Sequence, residues 1–392
     1  MLLAHVPGIL SALNDMLIEP MRRAWMEVDC RALRANYAAV TQRIPAGCRV
    51  LPMVKANGYG IGASLAIKSL RTQEPWGFGV ATAEEGVEVR AAGWEGPVVV
   101  FTPTIPSDLA DLRAYGLEPV VTGSEALRAC ADRGRERGAA IPVHLEVDTG
   151  MGRFGFPWSE AGRWSEDVST AIQAGGLTVR STFTHFHSAE TDSEATFGQW
   201  SRLQSTVSEL RRRGIGPGLV HAANSAAILE YSAVAGDMVR PGVWLYGAEV
   251  GKRRPEVVAR VRARVLDVRD VDAGTTVSYG ATYRTPGPAR LATLAIGYAD
   301  GLSRALSGRG RALIHGQSAP IRGVVTMDST VVDVTGNAEV KPGDVATLVG
   351  RDGDEEISLE ELAEACGTIS YEILTGWSYR VPRIGFDGDA CV

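Results

Sequence analysis

The sequence predicts a (β/α)8 TIM-type barrel followed by a mostly β-strand domain, and three observations predict it. Short β-branched runs alternate with helix-like stretches from about residue 30 to about residue 250. Eight such runs fit within roughly 220 residues, which is the arithmetic of a barrel with eight βα units. Beyond about residue 255 the helical periodicity gives way to short strands broken by Gly, Pro and Asp turns.

The strand runs, in order, are Arg49–Lys55, Trp76–Ala81, Pro97–Thr102, Glu118–Thr122, Pro142–Val147, Val179–His185, Leu219–Ala223 and Asp237–Tyr246. Most centre on valine, leucine or aromatic residues, the types that fit a pleated, buried surface. Between them lie the helix-like stretches Ala83–Ala92, Gly123–Gly134, Ser159–Ala174 and Ser193–Arg213. In the last, Phe197, Trp200, Leu203, Val207 and Leu210 recur at helical spacing. A doubly wound open sheet shares this alternation, so the pattern alone leaves that alternative standing.

The second half reads as strands at Val257–Val268, Arg290–Ile296, Arg311–His315, Pro320–Val325, Thr330–Val334 and Asp344–Val349. Turns such as Pro286-Gly287, Gly336-Asn337 and Lys341-Pro342-Gly343-Asp344 separate them. One helix is expected at Ser358–Cys366, with Ser358 as N-cap and Glu361 completing a capping-box pattern. The expected organisation is an N-terminal extension of unassigned role over 1–23, a barrel over 24–255 and a β domain over 256–392.

Composition narrows the function classes. The 392 residues are 45% hydrophobic and 22% charged, as in an ordinary soluble protein. A net charge of −6 argues against a general affinity for nucleic acid or anionic membrane. No apolar run reaches the length of a membrane helix, and the first residues make a poor signal peptide. The five cysteines are scattered without a CxxC pair, so neither a disulfide framework nor a structural metal site is expected, and a cytoplasmic setting is. Only Lys55, Lys68, Lys252 and Lys341 are lysines, so any amine chemistry comes from a short roster.

A (β/α)8 barrel places its active site at the C-terminal ends of the strands. Lys55 ends the first strand run and precedes the glycine-rich Ala56-Asn57-Gly58-Tyr59-Gly60-Ile61-Gly62. Arg153 follows the fifth run, His185 ends the sixth, Asn224-Ser225 follows the seventh, and Arg240 lies in the eighth. Each has a plainer reading: a solvated lysine, a core histidine, an arginine paired to a loop carboxylate. Taken together they offer an amine nucleophile, two guanidinium groups, an imidazole and small residues for backbone contact with an anion. A carbonyl cofactor bearing a phosphate would use all of them.

Val54-Lys55-Ala56-Asn57-Gly58-Tyr59-Gly60 resembles the lysine motif of the alanine racemases, the fold-type III pyridoxal-phosphate enzymes. Val147-Asp148-Thr149-Gly150-Met151-Gly152-Arg153, Thr184-His185-Phe186, His221-Ala222-Ala223-Asn224-Ser225 and Arg240-Pro241-Gly242 are similar to further motifs of that family. So are Val277-Ser278-Tyr279-Gly280, Gly297-Tyr298-Ala299-Asp300-Gly301, Met327-Asp328 and Ser378-Tyr379-Arg380-Val381-Pro382-Arg383. The likeness runs from about Ala24 to Arg383 in the family's order.

The resemblance implies a pyridoxal 5'-phosphate-dependent racemase of a small amino acid, alanine first, that works as a head-to-tail homodimer and supplies D-alanine for peptidoglycan precursors. It implies that Lys55 forms a Schiff base with the cofactor and serves as one acid/base group, with Tyr279 of the partner chain as the other. Inverting Cα means taking a proton from one face and delivering one to the other. By the same resemblance Arg240 meets the pyridine nitrogen. As a guanidinium it donates there and leaves that nitrogen without its own proton. Arg153 would bind the cofactor phenolate or the substrate carboxylate, and His185 would steer Arg240. Tyr59, Asn224, Ser225, Gly242, Val243 and Tyr379 would hold the phosphate. Tyr298, Met327, Asp328 and Trp377 would line the substrate side.

Three positions depart from the family. Glu146 stands where many members carry a carbamylated lysine, and it is expected to pair with Arg153. Trp377 replaces a smaller aliphatic residue at the substrate gate, and Val324 replaces an arginine of the entry corridor. These changes keep open a racemase of serine or another small amino acid. A non-catalytic cofactor-binding barrel would lack the β domain and Tyr279. A related decarboxylase would set a carboxylate, not Arg240, against the pyridine nitrogen.

Overall fold

A computed structural model describes residues 22–387, together with the backbone of Ala390 and Cys391. The extension expected at 1–23 therefore lies, apart from Arg22 and Arg23, outside the described residues. The chain forms two compact units, one spanning Asp29–Val258 and the other built from the strand before it and everything from Ala259 onward.

In the first unit the parallel strands are Arg49–Val50, Phe78–Val80, Val98–Val100, Glu118–Val121, Ile141–Asp148, Leu177–Phe183, Leu219–His221 and Met238–Val239. Each falls within or against one of the eight expected runs. Neighbours pair in chain order from the second strand to the eighth, and the eighth pairs back onto the first. A parallel bridge between Met53 and Gly79 joins the first to the second. The ring closes, which removes the open-sheet alternative. Leu51, Val99, Val120, Phe183 and Met238, from five of these strand regions, form a cluster inside it that is at most 1% exposed.

Side-chain caps fix where the surrounding helices begin. Asp29 accepts from Ala32 N at 2.9 Å to start Cys30–Thr41, and Asp192 accepts from Ala195 N at 2.9 Å to start Ser193–Arg212. In the latter helix Leu203, Val207 and Leu210 are buried, whereas Phe197 faces out. The short helices Ala63–Leu70, Leu109–Ala114 and Ser225–Glu230 carried too little periodicity to read from sequence.

The second unit is mostly strand. Its spine is Ala259–Val271, whose buried Ala259, Val261, Ala263 and Val265 alternate with half-buried Arg260, Arg262 and Arg264. Antiparallel to it lie Val345–Asp352, Ala289–Leu294 and Ala24–Asp29. Ser358 caps the helix Leu359–Cys366 by accepting from Glu361 N at 3.1 Å.

Three sequence expectations change. Ala24, expected to open the barrel, lies in a strand that pairs with Ala259–Ala263 of the β unit. The eighth barrel strand stops at Val239, and Val243–Tyr246 form a 3-10 turn, because Pro241 and Gly242 interrupt the ladder. The strand expected at Pro320–Val325 is instead Gln317–Pro320, the second arm of a hairpin with Arg311–Ile314. Among the described residues no helix is long and apolar enough to cross a membrane.

Candidate active site

Directly after Lys55 the chain turns with the wrong hand. Ala56, Asn57, Gly58, Tyr59 and Gly60 have φ of 53, 55, 62, 52 and 86°. For residues bearing Cβ this conformation costs about 1–2 kcal/mol each, so something must hold it. Ala56 N donates to Glu85 Oε1 at 2.7 Å, and Asn57 Oδ1 accepts from Ala63 N at 2.8 Å. The second oxygen of Glu85 takes Ala81 N at 2.7 Å, tying the turn to the end of the next strand. The Tyr59 ring stacks on Tyr246 with centroids 4.7 Å apart, and Tyr246 Oη donates to Met53 O at 2.6 Å.

Lys55 is exposed at the barrel mouth. Protein walls surround its amine closely enough that lost solvation is the main force lowering its pKa, ahead of the charge on Arg153; Arg240 adds to this and Glu85 opposes it. A lowered pKa leaves more of the amine neutral, which is the form that attacks a carbonyl.

Arg240 is buried, and four acceptors hold its two terminal nitrogens while its Nε–H stays free among the described residues. Its Nη1 meets His221 Nδ1 at 2.7 Å, and its Nη2 reaches Thr184 O at 2.9 Å, Ala222 O at 3.1 Å and His185 Nδ1 at 3.3 Å. The guanidinium also lies over the Phe183 ring, 5.2 Å from its centroid. Burial brings its pKa down to about 10, with Glu146 opposing the fall, so it remains a cation at neutral pH.

Burial, then the charges of Arg240, Arg153 and Lys55, push His185 down to about 3. Folding therefore keeps this imidazole neutral where the unfolded chain would protonate it, near pH 6.5. Unfolding takes up a proton between those values, so this contribution to stability is whole above pH 6.5 and fades as pH falls toward 3. Denaturant titrations of wild type and His185→Gln from pH 7 to pH 4 check this. The variant should lose stability less steeply, by at most about 1.4 kcal/mol per pH unit.

The expected pair of Glu146 with Arg153 does not form: no ion pair joins them among the described residues. Glu146 is buried 5% exposed, and lost solvation raises its pKa against the pull of Arg240 first and Arg153 second. The exposed Arg153 guanidinium instead lies over the Phe154 ring, 5.5 Å from its centroid. Its loop is pinned from below by Asp148, whose Oδ1 accepts from Gly150 N at 2.9 Å and Gly152 N at 3.1 Å.

Across the mouth, Asn224 caps Ser225–Glu230 by accepting from Ala227 N at 3.1 Å. Ser225 Oγ accepts from Gly242 N at 2.9 Å. A Cβ on Gly242 would collide with the Tyr59 hydroxyl, so Tyr59, Ser225 and Gly242 converge, with Val243 opening the 3-10 turn beside them. Hydroxyls, backbone N–H groups and two helical starts suit a phosphate, and with the single amine of Lys55 at the same mouth the residues fit a phosphorylated carbonyl cofactor. Gly242→Ala should weaken cofactor binding about 10–100-fold, in the range seen when a site's supporting contacts are removed, with equilibrium dialysis as the check.

In the second unit the expected residues sit on loops held to one another. Ser278 Oγ donates to Val324 O at 2.6 Å, seating the turn that carries Tyr279. Tyr298 N and Ala299 N donate to Thr326 O and Met327 O at 2.9 and 3.0 Å. Arg380 bridges Asp300 at 3.1 Å and Asp328 at 2.9 Å. Tyr279 is 74% exposed and Tyr379 93% exposed, with Tyr298 and Met327 also standing out. Trp377 differs from expectation. It is buried, and its indole N–H has no hydrogen-bond partner among the described residues.

Asn57, Thr184 and His221 lie in the motifs quoted above but have no role assigned there, and Glu85 is not singled out at all; the structure shows all four shaping the site. Their signal was faint: Thr184 follows a barrel strand and His221 ends another, whereas Glu85 is one of several charges on the helix Ala83–Ala91 and Asn57 lies within the turn after Lys55. Among the described residues no cluster of His, Cys, Asp and Glu is placed to hold a metal ion.

Comparison with known proteins bears on both halves of the chain. Residues 28–250 match the family described as alanine racemase, N-terminal domain, and residues 258–385 match alanine racemase, C-terminal domain. An alanine racemase of Carboxydothermus hydrogenoformans is 38% identical over 372 residues, covering 93% of this chain and all of that protein. One from Symbiobacterium thermophilum is 39% identical over 375 residues, covering 94% and 98%. Among solved structures, an alanine racemase from E. faecalis superposes with a TM-score of 0.88 at 33% identity, covering 95% of this chain and 100% of the other. The alanine racemase from Bartonella henselae with covalently bound pyridoxal phosphate gives a TM-score of 0.84 at 29% identity, covering 93% and 99%.

Proposed function

This chain belongs to the alanine racemase family of pyridoxal-phosphate-dependent isomerases, and from that premise we propose that it interconverts L- and D-alanine through two bases, Lys55 and Tyr279. The observation that carries the reading is the Lys55 amine, lowered in pKa and set at the mouth of a barrel beside a phosphate-type cradle. Bound there, pyridoxal phosphate supplies a carbonyl for an amine and an electron sink that makes the substrate's Cα–H acidic.

The chain's own residues do the rest. Tyr59, Asn224, Ser225, Gly242, Val243 and Tyr379 would hold the phosphate. Arg240 would meet the pyridine nitrogen as a donor and, being a cation that keeps its proton, would leave that nitrogen unprotonated. An arginine at that nitrogen would temper the electron sink and so favour return of the Cα proton. Arg153 draws the substrate carboxylate or the cofactor phenolate by charge, and Glu146 offsets the cations around it. Lys55 takes or returns the Cα proton on one face.

Tyr279 serves the other face from a second copy of the chain in a head-to-tail homodimer, and its wide exposure leaves it free to do so. Tyr298, Met327 and Asp328 shape the substrate side, and Trp377 backs that wall from within. The setting is the cytoplasm, with D-alanine destined for peptidoglycan precursors.

Proton exchange at Cα in heavy water, with chiral analysis over a panel of L- and D-amino acids, tests the reading. Exchange with loss of chirality on alanine is the expected result. Exchange on serine alone would move the substrate, and no exchange on any amino acid despite bound cofactor would overturn the reaction.

A further inference from the structure

Beneath Arg240 three side chains with no accessible surface run along neighbouring barrel strands: His221, Ser181 and His144. Arg240 Nη1 lies 2.7 Å from His221 Nδ1, and His221 Nε2 lies 3.0 Å from Ser181 Oγ. Ser181 Oγ lies 2.6 Å from His144 Nδ1, and His144 Nε2 lies 2.8 Å from Glu118 Oε2. Glu118 begins its strand, so it stands at the end of the barrel opposite the Lys55 mouth. Arg180 sits 3.7 Å from the same carboxylate, its guanidinium over the Trp76 ring.

The two ends of this chain of hydrogen bonds cannot change roles. A guanidinium only donates, and an ionised carboxylate only accepts. His221 must therefore present a bare Nδ1 to Arg240, which puts its proton on Nε2, aimed at Ser181. Ser181 then turns its hydroxyl proton to His144 Nδ1, and His144 donates from Nε2 to Glu118. If His144 carried both protons, the buried Ser181 hydroxyl would accept from two sides and its own proton would find no acceptor among its partners here. That is costly for a fully buried hydroxyl. The neutral, one-way order satisfies every group.

We propose that Glu118 and Ser181 are positioning residues for Arg240: the carboxylate at the far end of the barrel orders the chain so that His221 offers the guanidinium an acceptor. This rests on the reading that Arg240 faces the cofactor ring. In the other tautomer His221 would point an N–H at the N–H of Arg240. The guanidinium would lose its shortest contact and shift toward Thr184 O and Ala222 O. Small displacements of a group that must meet a reacting ring are felt strongly in rate.

The test uses the full chain with its cofactor, labelled with 15N-histidine. Six histidines give a resolvable long-range 1H–15N spectrum that reports which ring nitrogen carries the proton. Wild type should show both His221 and His144 as single Nε2–H tautomers. Ser181→Ala and Glu118→Leu should mix the His221 tautomers and lower kcat about 10–100-fold, with KM little changed. Glu118→Gln, which keeps an acceptor oxygen, should restore both. Ser181→Ala removes one atom, so it decides the matter if Glu118→Leu does not fold.

A wild-type His221 protonated on Nδ1 would overturn the proposal. So would broken variants that leave the tautomer unchanged, or that shift it while kcat stays at the wild-type value. Absence of racemisation in wild type would strike at the reaction instead, and the tautomer spectrum would still judge the chain.

Discussion

Lys55→Ala is expected to abolish racemisation, with turnover of alanine falling about 10³-fold or more, since a general acid/base alone contributes about 10²–10⁴ and the variant also loses the covalent anchor. Chiral chromatography of the products measures the first loss, and the visible absorbance of bound cofactor measures the second. The other described lysines offer no substitute at this mouth: Lys68, for instance, lies in the last turn of the helix Ala63–Leu70. A variant that kept a tenth of the activity would remove Lys55 from the reaction. The lowered pKa adds a sign to this expectation. The amine loses its proton at lower pH than an ordinary lysine, so activity that depends on the free amine should rise earlier on the basic side.

Tyr279→Phe removes a hydroxyl and nothing else, and its effect should differ from that of Lys55→Ala in kind. Turnover should fall about 10²–10⁴-fold, the span of a lost acid/base group. One base would remain, so Cα exchange in heavy water should persist for one hand of alanine and collapse for the other. Symmetric residual exchange would exclude Tyr279 as the second base. Complementation then asks where the tyrosine comes from. In an equal mixture of Lys55→Ala and Tyr279→Ala chains, half the dimers are mixed and each holds one intact site, so about a quarter of wild-type activity should return if sites are shared. Sites completed within one chain would recover none.

Much of this molecule could be read from its letters, and the reasons differ from place to place. The eight barrel strands were legible because buried parallel strands write themselves as short apolar runs between turns. Ala24–Asp29 misled because a strand's partner can lie far away in sequence: it pairs with Ala259–Ala263, more than two hundred positions on. Lys55, Arg153, His185, Ser225 and Arg240 stood out in the sequence because they follow or end the strand runs where barrels place chemistry, while Tyr59 stood out only through the resemblance.

The left-handed run at Ala56–Gly60 was not legible, because Asn, Gly and Tyr in that order suit several turns and only Glu85 and Asn57 decide among them. Pairing Glu146 with Arg153 failed for a similar reason. Opposite charges seven residues apart say nothing of which way their loop is pinned, and Asp148 pins it. Trp377 is a matter of depth: a large ring at a loop reads as a gate, and here it is packed away.

Asp29 N donates to Val258 O at 2.8 Å, so the two ends of the barrel unit lie one hydrogen bond apart. The barrel is in effect a closed loop inserted into the β unit, which owns the chain on both sides. During synthesis the strand at Ala24–Asp29 leaves the ribosome ahead of the barrel and must wait through the whole of it for Ala259–Val271 to arrive. The barrel needs no such wait. The order of assembly is thereby written into the connectivity, with the barrel complete while the β unit is still half made. Insertion with adjacent ends is also the arrangement that best tolerates excision. A chain cut to 29–258 keeps every one of its barrel pairings, while the remainder, rejoined by a short linker, keeps the strand pair that frames it.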